Sequence, residues 1–224
     1  MRFLVVGATG RTGQIVVEEA LSRGHSVTAL ARNPASLAAR DNLTVSKGTP
    51  EKKEDIVAAI QGISNEPPNA IIVTLAAPRA SDSPFAKPIG DPWFMTKAAQ
   101  NTRAALKEAG LEKTKIVIMS AWGVADSYSS LNLLMKGMIS HSPMKVQFKD
   151  HDKVDAETKS SGLPYVLVRP VMLKGEEAAP VKEFGDGGKG AGFMPSISRA
   201  SVARFLVDAA EKSEWDGKTP VISN

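Results

Sequence analysis

The chain has 224 residues, 42% apolar and 23% charged, with a formal charge of +4, which suits an ordinary globular domain able to bury a real core. It contains no cysteine and only three scattered histidines (His25, His141, His151), which excludes disulfides, thiolate metal sites and cysteine nucleophiles and gives no reason to expect a metal. The modest charge suits a polyanionic cofactor, and no basic run interleaved with aromatics appears, so no nucleic-acid partner is expected.

The order of elements begins with FLVV at 3–6, a compact apolar strand that stops at Gly7. Gly10 and Gly13 follow in GATGRTG, and an apolar helical period starts in QIVVEEAL. Strand, glycine turn and helix in that order predict a dinucleotide site, the alternative being an ordinary tight turn at a sheet edge. Glycine reaches backbone angles closed to other residues, and phosphate oxygens can meet the free amides of the helix start. The stretch 22–24 ends this helix at Gly24, and HSVTALAR at 25–32 is a second strand. Asn33 caps and Pro34 opens a short helical segment, ASLAAR. A third strand at 43–48 and a helix at 52–60 follow, then a loop at 62–68. AIIVTLAA at 70–77 is a nearly unbroken apolar strand, as a sheet covered on both faces requires.

An irregular loop at 78–91 carries Pro78, Pro84, Pro88 and Gly90. Asp91 then caps and Pro92 opens a long helix that stops at Gly110. KIVIMS at 115–120 is the fifth strand. The stretch 121–149 is the least regular, with a short helix in LNLLMKGMI, and a further helical segment runs over 150–161. YVLVRP at 165–170 is the sixth strand, 171–195 a glycine-rich loop, and Ser198 caps a last helix before a small strand within 218–223. Alternating strands and helices predict an α/β fold, a doubly wound, mostly parallel sheet with helices on both faces and its ligand at the strands' C-terminal edge. No segment approaches the roughly 18 apolar residues of a membrane span, and no secretory leader opens the chain. No membrane partner is expected, and the expected location is cytoplasmic.

The second strand discriminates between cofactors. An acidic residue at its end hydrogen-bonds the ribose 2′-OH of NAD. Here the strand ends in Ala31-Arg32-Asn33. A guanidinium suits a 2′-phosphate, and Arg11 in the glycine turn can flank the same group, so NADP is the expected cofactor.

The chain resembles the atypical short-chain dehydrogenase/reductase superfamily, of the NAD(P)H-binding, NmrA-like and biliverdin-reductase-B-like kind. The likeness spans nearly the whole chain. It rests on GATGRTG, ARNP at 31–34, IVIMSAWGV at 116–124, KVDAE at 153–157, SGLPYVLVRP at 161–170 and ISRASVARFLV at 197–207. It implies a single Rossmann-type NAD(P)-binding domain over 1–224, with substrate-pocket segments about 78–95, 121–150 and 171–195. It implies that Gly7, Thr9, Gly10, Arg11, Thr12 and Gly13 hold the pyrophosphate side and Arg32 the 2′-phosphate. Ala76, Ala77 and Pro78 then lie under the ribose and adenine, and Ser120, Ala121 and Trp122 near the nicotinamide.

One departure limits the chemistry. Related dehydrogenases use Tyr-x-x-x-Lys after a serine. If Lys153 takes the lysine place, the tyrosine place falls on Lys149. Ser120 is then the candidate hydrogen-bond donor at the reacting centre. Lys153 can fix the nicotinamide ribose or be a solvated helix lysine; His151 can supply a proton through water or sit on a helix surface. Without the tyrosine, ordinary alcohol and ketone chemistry is in doubt. The leading reading is an NADPH-dependent oxidoreductase acting on a small, flat aromatic or conjugated acceptor, such as a flavin or quinone. The alternatives are an NADP-binding redox sensor without turnover, and an isomerase, lyase or epimerase. Leu131, Leu133, Leu134, Met135, Met138, Ile139 and Met144 form an apolar stretch that can line the pocket, make a local core or join a homodimer. Trp122, Phe184 and Phe193 are candidates to stack on the acceptor, and Trp93 reads as a core residue. Arg169, before a proline, reads equally as a structural ion pair or a ligand contact. Asn101 is placed to satisfy backbone groups of a neighbouring loop.

Overall fold

The computed structural model describes residues 1–62, 66–81, 83 and 85–224. The expected loops at 62–68 and 78–91 fall partly outside the described residues, at 63–65, Asp82 and Pro84. The first strand (β1, Arg2–Val6) leads into α1 (Arg11–Ser22), and β2 (Ser26–Ala31) into β3 (Leu43–Lys47). Next come α2 (Lys53–Gln61), β4 (Ala70–Val73), α3 (Phe94–Glu108) and β5 (Lys115–Met119). Two helices, α4 (Leu133–Ser140) and α5 (Met144–Lys159), precede β6 (Tyr165–Pro170). Three two-residue strands follow, β7 (Met172–Leu173), β8 (Lys182–Glu183) and β9 (Ser196–Ile197), then α6 (Arg199–Glu211) and β10 (Val221–Ser223).

The main sheet has the order β3-β2-β1-β4-β5-β6-β10-β8, parallel throughout except for the final β10–β8 pair. Side chains alternate between two cores, as the period of two requires. Phe3, Val5, Val117 and Val168 face the layer holding α1 and α6. Leu4, Val6, Ile116 and Leu167 face the layer holding α2, α3 and α5. Both faces are covered, which explains the unbroken apolar strands. The reversal of strand order between β1 and β4 opens a crevice at the C-terminal edge.

Several elements differ from the sequence reading. The stretch after Pro34 forms only a 3-10 turn, Pro34–Ser36, although Asn33 caps it by accepting from Ala35 N. The strand expected over 70–77 leaves the sheet after Val73, and its last residues run on along the crevice. The expected helix at 150–161 begins at Met144, and the glycine-rich 171–195 contains β7 and β8. The third helix starts at Phe94, not Pro92. Asp91 instead closes a local turn by accepting from Trp93 N at 2.8 Å and pairs with Lys97. The first-turn amides of α3, at Met95 and Thr96, donate to the buried carboxylate of Asp150 at 2.8 and 2.9 Å. A residue 55 positions away thus caps the helix, a pairing only the tertiary fold supplies.

Arg169 is a buried hub. Its Nη2 donates to Asp155 at 2.6 Å and to Asp126 at 2.8 Å, and its Nη1 to the carbonyl of Asp186 at 2.7 Å. One guanidinium therefore ties β6 to α5, to the turn at 125–130 and to the glycine-rich loop. Burial alone would raise the Asp126 pKa, but the hydrogen bond and charge of Arg169, with Lys159 nearby, hold it below the usual carboxylate value. Arg169 takes the ion-pair role. The Arg169→Met variant leaves the buried Asp155 carboxylate without its guanidinium partner and is expected to lose about 3–5 kcal/mol of stability in urea unfolding. The double variant Arg169→Met/Asp155→Leu should recover much of that loss.

Candidate functional site

The crevice at the C-terminal sheet edge is a cleft of about 390 Å³. Its floor is the turn after β1. Gly7 has φ +94°, a left-handed conformation that favours glycine, and its carbonyl accepts from Gly10 N at 3.0 Å. A β-carbon at Gly13 would lie 2.0 Å from that carbonyl oxygen. Only glycine at that place lets α1 start directly against the end of β1. Gly13 lies at the packing contact with Gly7 and is not among the residues that line the cleft. A β-carbon at Gly10 would meet only the Gly7 oxygen, at 3.3 Å. Thr74 Oγ1 donates to the carbonyl of Gly7 at 3.2 Å and fixes the turn from the β4 side. No acidic side chain stands in the first turn of α1, and its N-cap, Gly10, offers no side-chain acceptor. The amides of a helix start have no intrahelical partner, so this floor presents donors to an anion.

The cleft brings together Gly7, Thr9, Gly10, Arg11, Thr12, Arg32, Ala76 and Pro78. Ala77 is not among the residues that line the cleft. Arg32 follows the last residue of β2, with no carboxylate beside it in sequence. Acidic Glu51 and Asp91 do line the cleft elsewhere, and Asp91 is engaged by Lys97 and Trp93 N. The wall toward β5 and β6 is made by Met119, Leu173 and Arg199, and Phe94 lies at the start of α3. Arg199 was not singled out from sequence. The signal for it was its place directly after the Ser198 cap, whose Oγ accepts from Ser201 N at 3.0 Å. That cap fixes α6 to start at the same sheet edge as α1.

The expected nicotinamide side is placed differently. After β5 the chain keeps pairing with β6: Ser120 N donates to Val168 at 2.7 Å and Trp122 N to Pro170 at 3.0 Å. That pairing draws Trp122 into the core, where Nε1 donates to Ser130 Oγ at 2.8 Å. Ser120 is buried beside it, and none of Ser120, Ala121 and Trp122 lines the cleft. Lys153 is 48% exposed, stacks over the Trp93 ring at 5.2 Å and lies 3.9 Å from Glu157, outside the cleft. It takes the solvated-lysine place, and Trp93 is exposed rather than core. His151 Nδ1 is buried with no hydrogen-bond partner among the described residues. Burial of the ring lowers its pKa against the pull of Asp150 and Asp152, which favours the neutral form, and the residue as a whole is half-buried. It does not line the cleft either. Phe184 packs against the core, whereas Phe193 is exposed. Asn101 Nδ2 donates to the carbonyl of Pro50 at 2.9 Å, the loop role expected of it.

A profile of the NAD(P)H-binding family matches residues 7–213. The chain belongs to that NAD(P)H-binding family. Membership implies a nicotinamide dinucleotide as the cofactor. A curated relative, the chloroplastic divinyl chlorophyllide a 8-vinyl-reductase of Cucumis sativus, is 27% identical over 92% of this chain; the match spans 48% of the relative. Among solved structures, the oxidoreductase ylbE of Lactococcus lactis superposes with TM-score 0.76 at 17% identity, covering 100% of this chain and 91% of that one. ChuY of Escherichia coli, titled an anaerobilin reductase, gives TM-score 0.75 at 18% identity, covering 100% and 97%. These two likenesses show the Rossmann-type fold. All three fit the atypical short-chain dehydrogenase, NmrA-like resemblance carried by the motifs.

The two glycines should separate on substitution. Gly13→Ala is expected to lower Tm by several degrees or more, because its β-carbon overlaps backbone. Gly10→Ala should leave Tm within a degree or two and weaken dinucleotide binding about tenfold, because its β-carbon enters the space above the turn. Thermal melts and fluorescence titration of each variant read both effects. Lowering the pH should also destabilise the fold through His151. Its folded pKa lies below the ordinary value near 6.5, so the unfolded state binds the extra proton and stability falls as pH drops below about 6.5. The slope of Tm against pH below that point should be shallower in His151→Gln.

Proposed function

We propose that the protein is an NADPH-dependent oxidoreductase that delivers hydride to a flat aromatic or conjugated acceptor. The observation that carries the cofactor half is the pairing of Arg32 and Arg11 along one cleft, with no carboxylate at the end of β2. A 2′-phosphate placed there meets two guanidiniums, whose planar forks match phosphate oxygens. Gly7, Thr9, Gly10 and Thr12 line the place of the pyrophosphate, where the first-turn amides of α1 donate to it and the glycines let it approach. Ala76 and Pro78 lie against the ribose and adenine region. Bound NADPH supplies the hydride.

The reacting end then lies toward Met119, Leu173 and Phe94, an apolar wall that orients a flat ring. Neither Lys153 nor Lys149 lines the cleft, and Ser120 and His151 do not reach it. Among the described residues the cleft thus shows no Tyr-x-x-x-Lys proton donor. Flavins, quinones and extended tetrapyrroles fit this best, because such acceptors can take their proton from water. The name of the chlorophyllide vinyl-reductase supports a conjugated acceptor. The second reading, a sensor that binds NADPH without turnover, is favoured by the same placement of Lys149 and Lys153.

The Arg32→Ala variant should raise the Kd for NADPH about 10- to 100-fold, as expected for a lost charge-assisted contact, and change that for NADH less than about threefold. Equal small changes in both would remove Arg32 from the 2′-phosphate. A panel of flavins, quinones and bilins monitored at the NADPH absorbance should show turnover by the wild type. Saturable NADPH binding with no turnover across the panel would favour the sensor.

A further inference from the structure

We infer that the face built by the start of α4 and the end of the glycine-rich loop docks on an anionic lipid bilayer surface. Leu133 is 86% exposed and Leu134 53%, both in the first turn of α4. Phe193 is 65% exposed and Met194 47%. The two pairs are held together. Asn132 caps α4 by accepting from Met135 N at 2.9 Å, and its Nδ2 donates to the carbonyl of Phe193 at 2.6 Å. One side chain thus fixes four large apolar groups in water at one place on the molecule. Met194 leads into β9, which pairs with β7, where Met172 is exposed and Leu173 lines the cleft. The apolar face therefore borders the mouth of the cleft.

Charge selects the occupant. Residues 127–149 contain Lys136, Lys145 and Lys149 and no acid. Residues 187–198 contain Lys189 and again no acid. Lys136 lies one turn from Leu133, Lys145 and Lys149 one turn apart on the helix packed against α4, and Lys189 four residues before Phe193. A second copy docking through this face with two-fold symmetry would set the same apolar groups and the same lysines against each other. No acid from either segment would offset that repulsion. An anionic bilayer instead accepts protruding apolar side chains and attracts each nearby lysine. No helix among the described residues is long and apolar enough to cross a membrane, and surface docking needs none. This reading departs from the expectation of no membrane partner, which concerned spanning segments.

The test is co-sedimentation of the full chain with vesicles of phosphatidylcholine alone and of phosphatidylcholine mixed with phosphatidylglycerol. Wild type should pellet with the mixed vesicles, and binding to neutral ones should be at least about tenfold weaker. Raising the ionic strength should release it, since the lysine attraction is screened within a Debye length of about 10 Å at 0.1 M salt. Leu133→Ser/Phe193→Ser should reduce the bound fraction about tenfold or more with an unchanged melting curve. Lys145→Gln/Lys189→Gln, which leaves the apolar groups intact, should flatten the salt dependence. No pelleting of wild type with the mixed vesicles would overturn the proposal. So would a dimer, seen by light scattering, that Leu133→Ser/Phe193→Ser splits into monomers.

Discussion

A β-carbon at position 13 would lie 2.0 Å from the carbonyl oxygen of Gly7, so α1 can begin where it does only because that residue is glycine. The contact sets more than one helix. It brings the first amides of α1 to the end of β1, and Gly7, at φ +94°, turns the chain between them. Thr74 holds the same carbonyl from β4, so the two strands that flank the topological switch are locked at the point where the crevice opens. Alongside, α6 packs on α1, and Arg23 at the end of α1 pairs with Asp208 and Glu211 at the end of α6. The helix bearing Arg199 is thereby tied to the one bearing the phosphate floor.

The strands were legible in the sequence because both faces of the sheet are buried and leave nearly continuous apolar runs. The glycine turn, Arg32, the Ser198 cap and the stop at Gly110 were legible because each depends on neighbours a few residues away. What could not be read depends on distant partners. Asp150 caps α3 from the next layer, and that cap moves the helix start past Asp91. Trp122 follows Ser120 toward the expected nicotinamide position in sequence, but continued pairing with β6 turns it into the core. Lys153 was placed by a motif spacing, yet the helix that carries it is rotated by two buried anchors. Asp150 fixes it to α3, and Asp155 to Arg169, leaving Lys153 on the outer side over Trp93. Arg199 went unremarked because nothing local distinguishes it from any arginine in a first helical turn.

The same two anchors explain the chemistry of the cleft. In a Tyr-x-x-x-Lys enzyme the corresponding helix presents a proton donor to the carbonyl oxygen while hydride adds to the carbon. Here α5 turns two carboxylates inward for structure and leaves a neutral histidine between them, buried and unmatched at Nδ1. The cleft keeps a glycine turn, arginines and an apolar wall. On the proposed reading it holds a reduced dinucleotide against a ring that completes its own protonation.

The central claim is the direction of the dinucleotide along the cleft. A crystal structure with NADP bound tests it most directly. The account predicts the 2′-phosphate between Arg32 and Arg11, and the nicotinamide C4 facing Met119 and Leu173. A dinucleotide with its adenosine against Met119 and Leu173, or with its 2′-phosphate away from both arginines, would contradict it.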